Sequence, residues 1–267
     1  MSVRPPKDWW KTFFAPLAGQ VMFEPRDRRS PFEVDVVLRR SRTKRGARVL
    51  DVACGTGRHT AIFAAKGHEV VGLDYSAPYL AGARARLKKA RLDGRARFVR
   101  GDMRHASRHV GRNGFDLAVS LYNSFGYFDR RSDDRRTLRE VYRALKPGGA
   151  FVINTLHEGG VRHRLKTPAM LGHEPLKNVF MLDHARYDRK RRRTDCVWTI
   201  VDARKPRVRI ARQRFGQNVY SHAEFKAMLR AAGFRIERVW GMLEGKPFNR
   251  KTWHQTIVAR KPRGARA

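Results

Sequence analysis

The stretch that most constrains this chain is RVLDVACGTGRHTAIFAAKGHEVVGLDYS, residues 48–76. A short apolar run broken by Asp51 leads into a tight Cys54-Gly55-Thr56-Gly57 turn. Residues 58–66 then read as a helix with Ala61, Ile62, Ala64 and Ala65 on its apolar face, and a second apolar run over 69–73 ends on Asp74. That order of patterns is a β–α–β unit with glycines in its first turn and an acid at the tip of its second strand. Glycines at 55 and 57 let backbone approach a ligand that a Cβ would hold away. Asp74 falls roughly 20 residues past the turn, where a carboxylate can accept from the two hydroxyls of a ribose. The unit is therefore built for a nucleoside-bearing ligand. Thr60 stands where a dinucleotide fingerprint needs its third glycine, and an acid placed as Asp51 is belongs to no such fingerprint, so NAD is disfavoured.

The chain has 267 residues, enough to bury a full core as one elaborated domain. No apolar run reaches the ~20 residues of a bilayer span, and the first residues, MSVRPPKDWWKTFF, are too interrupted by charge for a secretory signal. The expectation is a soluble cytoplasmic protein. Cys54 and Cys196 offer neither a disulfide framework nor a zinc spacing, and no His/Asp/Glu cluster has metal-ligand spacing. The formal net charge of +35 raises RNA or another polyanion as a partner. A solvated, arginine-biased surface accounts for it equally well, since screening limits its reach to about 8 Å at physiological salt.

Along the chain, Trp9, Trp10, Phe13, Phe14 and Leu17 form a one-sided aromatic stripe at helical spacing, and Pro31 opens a second helix through Val34, Val37 and Leu38. After Ser76 a helix runs to about residue 92. A strand over 96–99 leads into Arg100-Gly101-Asp102-Met103, and a fourth strand over 115–121 runs directly into Tyr122-Asn123-Ser124-Phe125-Gly126-Tyr127-Phe128. A helix over 133–145, the turn Lys146-Pro147-Gly148-Gly149 and a fifth strand over 150–156 follow. Residues 178–187, 194–201 and 207–215 then read as three strands rich in β-branched and aromatic residues, the first two joined by a basic turn over 188–193. Ser221 with Glu224 makes a capping box for a helix that Gly233 stops, before strands over 234–240 and 252–259.

Taken together, VLDVACGTG, VVGLDYS, the RGDM turn and LKPGG closely resemble the motifs of the class I S-adenosylmethionine-dependent methyltransferases. The family often has glycine where this chain has Ala53. The resemblance implies an α/β fold: a Rossmann-like methyltransferase sheet with helices on both faces. To this are added an N-terminal helical lid over 1–45, a core over 46–156, an antiparallel β insertion over 157–220, a return to the core over 221–260 and a disordered basic tail over 261–267. It also implies a cofactor lying across Ala53, Gly55 and Gly57. Asp51 supports the turn or the methionine amino group, Asp74 serves the ribose, and Asp102 with the Met103 N–H serves the adenine. Tyr75, Ser76 and Leu121 are further cofactor-binding candidates. Arg28 or Arg29 is the expectation for the methionine carboxylate, and His59 caps or contacts the cofactor.

The acceptor is read mainly from what is missing. The end of the fourth strand holds LYNSFGY rather than the [DNS]-P-P-[YFW] of enzymes that methylate exocyclic base amines. Neither cysteine has the Pro-Cys or Thr-Cys setting of a 5-methylcytosine enzyme. NSFGYF is similar to bacterial small-molecule methyltransferases and faintly to glycine N-methyltransferase. Methyl transfer chiefly needs alignment of the nucleophile and exclusion of water, with a base only where the acceptor must lose a proton early. His157, at the tip of the fifth strand, is the candidate base, with Tyr122, Asn123 and Tyr127 to orient the acceptor; His222 and His254 are read as structural or exposed. The expectation is transfer to N or O of a small molecule by a monomer or homodimer. The alternatives are an RNA methyltransferase that uses the arginine-rich surface and a catalytically silent cofactor-binding subunit.

Overall fold

The computed structural model describes residues 4–14, 28–166 and 169–264. Its larger sheet has seven strands: β1 (Arg48–Val52), β2 (Glu69–Asp74), β3 (Ala96–Arg100), β4 (Phe115–Ser120), β5 (Leu145–Leu156), β10 (Arg235–Trp240) and β11 (His254–Arg260). They lie in the order β10-β11-β5-β4-β1-β2-β3. β11 runs antiparallel between β5 and β10, and the remaining neighbours are parallel. The central strands read as almost unbroken apolar runs because both faces are covered, as parallel sheets require.

Helices α2 (Ser30–Ser41), α3 (Arg58–Ala65) and α4 (Ala77–Lys89) cover one face, burying Val34, Val37, Phe63 and Leu87 with Val49, Leu117 and Val152. Helices α5 (Ala106–Val110), α6 (Arg131–Ala144) and α8 (His222–Ala231) cover the other, with Leu138, Val141 and Phe225 among Leu50, Phe115 and Phe151. Ser76 caps α4 by accepting from the Tyr79 N–H at 3.4 Å, and Ser221 caps α8 by accepting from the Glu224 N–H at 3.2 Å. The capping box is only half closed, because the Glu224 carboxylate turns to Arg131 and Arg192.

The insertion holds more than its sequence pattern showed. Besides β7 (Val179–Asp188), β8 (Arg193–Asp202) and β9 (Arg209–Asn218), the antiparallel sheet gains an edge strand, β6 (Ala169–Leu176), and a short helix, α7 (Glu158–Arg164), precedes it. Both were hidden by composition. β6 carries Gly172 and Pro175, residues depleted in strands, and the first turn of α7 holds two consecutive glycines, Gly159 and Gly160. At the other end, residue 261, expected in the tail, is part of the fold. Lys261 is buried, and its Nζ donates to Asn113 Oδ1 at 2.8 Å and to the carbonyls of Tyr142 and Leu145 at 3.1 and 2.9 Å. Within the N-terminal stripe, α1 (Trp10–Phe13) is a single helical turn, and Leu17 lies outside the described residues.

Candidate active site

Ligands in open parallel sheets sit beyond the carboxyl ends of the strands, and here that edge is held by two acids. Asp74, ending β2, accepts from the Gly55 N–H with Oδ2 and from the Ser76 N–H with Oδ1, both at 2.8 Å. One carboxylate thus ties the turn after β1 to the turn after β2. Within β1, Asp51 accepts from the Thr60 hydroxyl at 2.7 Å, which gives Thr60 its role where a dinucleotide site would carry glycine. Burial pushes the Asp51 carboxyl up to about 7, against the Thr60 bond and the Arg58 charge, and burial likewise raises Asp74 above the usual carboxylate range. Ala53 and Gly55 follow with φ of 58° and 57°, which explains why glycine suits position 53 and why alanine there is held under local strain.

These turns border a cavity that opens to solvent, with about 870 Å³ of empty space once that open solvent is included. Of the residues singled out from sequence, Asp51, Ala53, Gly55, Asp74, Tyr75, Asp102, Met103, Leu121 and Tyr122 line it. Gly57, Ser76, Asn123 and His157 do not. Gly57 serves packing: its φ is 71°, and a Cβ there would stand 2.7 Å from the Phe98 ring and 3.0 Å from Ala83 Cβ. Ser76 spends its hydroxyl on the α4 cap and on the Phe14 carbonyl. Asn123 points its amide nitrogen at His254 Nε2, 2.8 Å away. His157 turns away from the cavity. Its Nδ1 accepts from the Gly160 N–H at 3.2 Å, capping α7, and its ring packs on Phe248, so it is not placed to act as a base on anything in the cavity.

A buried ionic cluster that the sequence pattern did not reveal closes one wall. Glu33, on α2 and without solvent exposure, accepts from the Tyr122 hydroxyl and pairs with His59 Nε2 at 2.9 Å and Arg58 at 3.6 Å. The Arg58 guanidinium lies 3.9 Å from the centroid of the Tyr122 ring and donates to the Ser30 hydroxyl at 2.7 Å. Burial alone would raise Glu33; its bonds from His59 and Tyr122 and the neighbouring positive charges hold it below the usual range instead. Burial and Glu33 push the Tyr122 phenol up to about 12, so it remains a donor committed to that carboxylate. Arg58 and His59 line the cavity, whereas Arg28 and Arg29 are exposed and Arg29 faces Glu244 at 3.7 Å. The available signal was one acid on the apolar side of α2 facing an Arg-His pair after the glycine turn.

Tyr122 and Asn123 are consecutive non-glycine residues with φ of 56° and 61°, a costly backbone that persists only when its surroundings over-determine it. Three elements do so. Glu33 takes the Tyr122 hydroxyl, His254 meets the Asn123 amide, and Gln217 from β9 donates to the carbonyls of Asn123, at 2.7 Å, and Phe125. Trp10, Phe14, Tyr79, Tyr127 and Phe128 complete an aromatic lining. Opposite them, burial would raise Asp102, but the Arg104 guanidinium and N–H hold it below the usual range, and Arg104 itself lies over Phe128 at 4.4 Å.

The profile of the family described as "Methyltransferase domain" matches residues 49–149. The chain is similar to the dTDP-3-amino-3,4,6-trideoxy-alpha-D-glucopyranose N,N-dimethyltransferase of Streptomyces venezuelae, with 31% identity over 219 residues, 80% of this chain and 84% of the relative. It belongs to the class I S-adenosylmethionine-dependent methyltransferases. Among solved structures, the methyltransferase superposes on CcbJ from Streptomyces caelestis with a TM-score of 0.81 at 19% identity, over 94% of this chain and 99% of that one, a likeness of fold. It also superposes on S-adenosylmethionine-bound CalS10, an amino pentose methyltransferase from Micromonospora echinaspora, with a TM-score of 0.64 at 25% identity, covering 88% and 94% of the two chains. S-adenosylmethionine is its cofactor, and the cavity suits that group: carboxylates at the two strand tips, small residues where backbone must come close, and aromatic faces for a cationic centre.

The methyltransferase makes internal use of much of its basic turn over 188–193. Arg192 pairs with Glu158 and Glu224, Arg193 is buried against the carbonyls of Phe128 and Gly216 at 3.0 Å each, and Arg191 reaches Asp195 at 3.3 Å. Three of the arginines that favoured an RNA surface are struts of the fold. Among the described residues, no helix is long and apolar enough to cross a membrane.

Proposed function

We propose that this methyltransferase moves a methyl group to the amine nitrogen of a small molecule, with an amino sugar as the favoured acceptor class. The observation that carries the reading is the enclosure of the β4 tip. Gln217 of the insertion sheet clamps residues 123 and 125, so an acceptor must enter a cavity bounded by Trp10, Phe14, Tyr127 and Phe128. The relatives that act on amino sugars support the same class.

In this reading Asp74 accepts from the ribose hydroxyls with its remaining lone pairs, and Asp102 and the Met103 N–H receive the adenine. Gly55 and Ala53 give backbone access, Asp51 faces the methionine ammonium, and Arg58 meets the methionine carboxylate. When bound, the cofactor supplies an electrophilic methyl on a sulfonium. The chain's own part is to align a neutral amine with that methyl and to keep water out. A neutral amine brings its own lone pair and sheds its proton after transfer, so the displacement of His157 from the cavity is no obstacle. The aromatic faces of Trp10 and Tyr127 favour the positive charge that develops on nitrogen.

The test supplies methyl-labelled cofactor to protein freed of nucleic acid by high salt, with nucleotide-linked amino sugars, glycine and total RNA offered separately. Label in the amino-sugar arm is expected. Label confined to RNA would overturn the reading.

A further inference from the structure

The helices of the larger sheet run back to the edge where the next strand begins, opposite the cavity, and that edge is electrically unlike the other. The connections there, over 42–47, 66–68, 90–95, 111–114, 146–149, 232–234 and 261–264, hold ten lysines and arginines against a single acid, Asp93. Those at the carboxyl ends, over 53–57, 75–76, 101–105, 121–130 and 241–253, hold five against three. Part of the imbalance serves the fold: Lys66 pairs with Asp35 at 2.7 Å, Lys146 with Asp116 at 2.8 Å, and Lys261 is buried among carbonyls. The other seven serve no such purpose. Arg42, Lys44, Arg45, Arg91, Arg95, Arg112 and Arg263 are exposed, and among the described residues none of them has a hydrogen bond or ion pair through its side chain. Helix dipoles do not account for them either, because Arg39, Lys89 and Arg143 already stand in the last turns of α2, α4 and α6. Like charges crowded in this way repel one another, and a polyanion relieves that repulsion.

Two grooves run along this edge and share Arg42. One lies between the ends of α2 and α3, with Arg39, Arg45 and Lys66 on its sides; the other passes Arg235, Arg260 and Arg263 beside the turn before β5. Together they cross from β2 to β10, five strand spacings or roughly 24 Å. That is the length of about seven phosphates, at ~3.4 Å per phosphate along one strand of a duplex. Arginine dominates the track, and its planar fork matches phosphate oxygens. We propose that this edge docks the phosphate backbone of a nucleic-acid duplex, held by charge without reading its sequence. The lining favours that occupant. Neither groove presents a Phe, Tyr or Trp ring on which single-stranded bases could stack. None of the large apolar side chains exposed among the described residues stands in these connections, so the edge lacks the apolar wedge that accompanies basic residues at a bilayer. The cavity lies a strand length away, about 17–20 Å. Nucleic acid on this edge therefore leaves the cavity open and is not the methyl acceptor.

The test follows the anisotropy of a short labelled DNA duplex with the full chain, freed of bound nucleic acid, across a salt series. With about seven phosphates neutralised, the logarithm of affinity is expected to fall against the logarithm of salt with a slope of about −6. A triple variant, Arg42→Asn, Lys44→Gln and Arg45→Gln, removes the charge where the grooves meet; asparagine suits the left-handed backbone of position 42, whose φ is 55°. It is expected to bring the slope to about −3 and to weaken binding at least about tenfold, with melting temperature, cofactor affinity and methyl transfer unchanged. A matched variant that takes three exposed cations from the insertion, Arg189→Gln, Lys190→Gln and Lys205→Gln, is expected to stay within about twofold of wild type, because screening confines each charge to its own neighbourhood. Equal losses in the two variants would mean that charge acts over the whole surface and would overturn the proposal. So would a protein that leaves the duplex free at low salt, or one that binds phosphatidylserine vesicles through Arg42, Lys44 and Arg45 but not the duplex.

Discussion

At the glycine-turn end of the cavity, the walls are made by neighbours in the chain: Asp74 holds the Gly55 N–H across 19 residues, and Asp51 holds Thr60 across 9. At the β4 tip, the partners come from far away. Tyr122 reaches Glu33 across 89 residues, Gln217 reaches Asn123 across 94, and His254 meets Asn123 across 131. A local wall can be specified by a short motif and shared by many acceptors. A wall assembled from the N-terminal helix, the insertion and the last strand changes whenever one of those elements changes, which suits the part of a methyltransferase that must differ between acceptors.

Removing Glu33 breaks the long-range end most severely. Glu33→Ala leaves a buried guanidinium, an imidazole and a phenol without their shared acceptor and is expected to cost about 3–5 kcal/mol in urea unfolding; Glu33→Gln, which keeps a carbonyl oxygen, should recover part of it. If Glu33→Ala unfolds like the wild type, the β4 tip does not depend on α2.

Asp51 probes the local end through pH. Its folded value of about 7 lies above the ordinary 3.8, so the unfolded chain ionises first as pH rises. Stability contributed by this protonated carboxyl is full below about pH 4, falls from there and is lost as pH passes 7, on the order of a few kcal/mol in all. Melting temperatures across that window should converge or diverge accordingly, with Asp51→Asn lacking the slope. A parallel pair of curves would show that Asp51 is not buried uncharged.

The two glycines sharpen the contrast within the turn. Gly57→Ala is expected to destabilise by about 1–3 kcal/mol through a strained φ and collision with Phe98, with cofactor affinity near that of wild type by calorimetry. Gly55→Ala, on the cavity wall, is expected to weaken affinity about tenfold, or ~1.4 kcal/mol. Equal affinity losses would erase the distinction between packing and approach. The smallest effect belongs to His157→Ala: about 1 kcal/mol of stability from the lost α7 cap, with kcat unchanged. A collapse of kcat with the cofactor still bound would restore it to the chemistry.

The same contrast explains what could be read from the chain alone. The β–α–β unit, the Asp102 turn and the parallel core were legible because period, turn chemistry and motif spacing agree locally. Thr60, scored only as a missing glycine, proved to be the partner of Asp51. Glu33, Arg58 and the bracing of Asn123 were not legible, since pairs separated by 26 to 131 residues leave no local pattern. His157 misled for the same reason. Its position at a strand tip could be inferred, but the direction of its ring depends on the α7 cap at Gly160 and on Phe248, which only the folded chain brings near. β6 was missed because glycine and proline mask a strand that the register with β7 imposes.

The place of β11 has a consequence for how the enzyme is made. Among the described residues β11 is the last strand in chain order, yet it sits inside the sheet, pairing β5 through seven residues from His254 to Arg260. A growing chain that has reached residue 250 presents a bare β5 edge, an Asn123 without His254 and no place for β10 to attach. Open edges of that kind invite pairing with other chains. The methyl-transfer wall is thus completed only when β11 leaves the ribosome, and a message that stops near codon 250 yields a polypeptide with an intact glycine turn, no completed β4 wall and an adhesive flank.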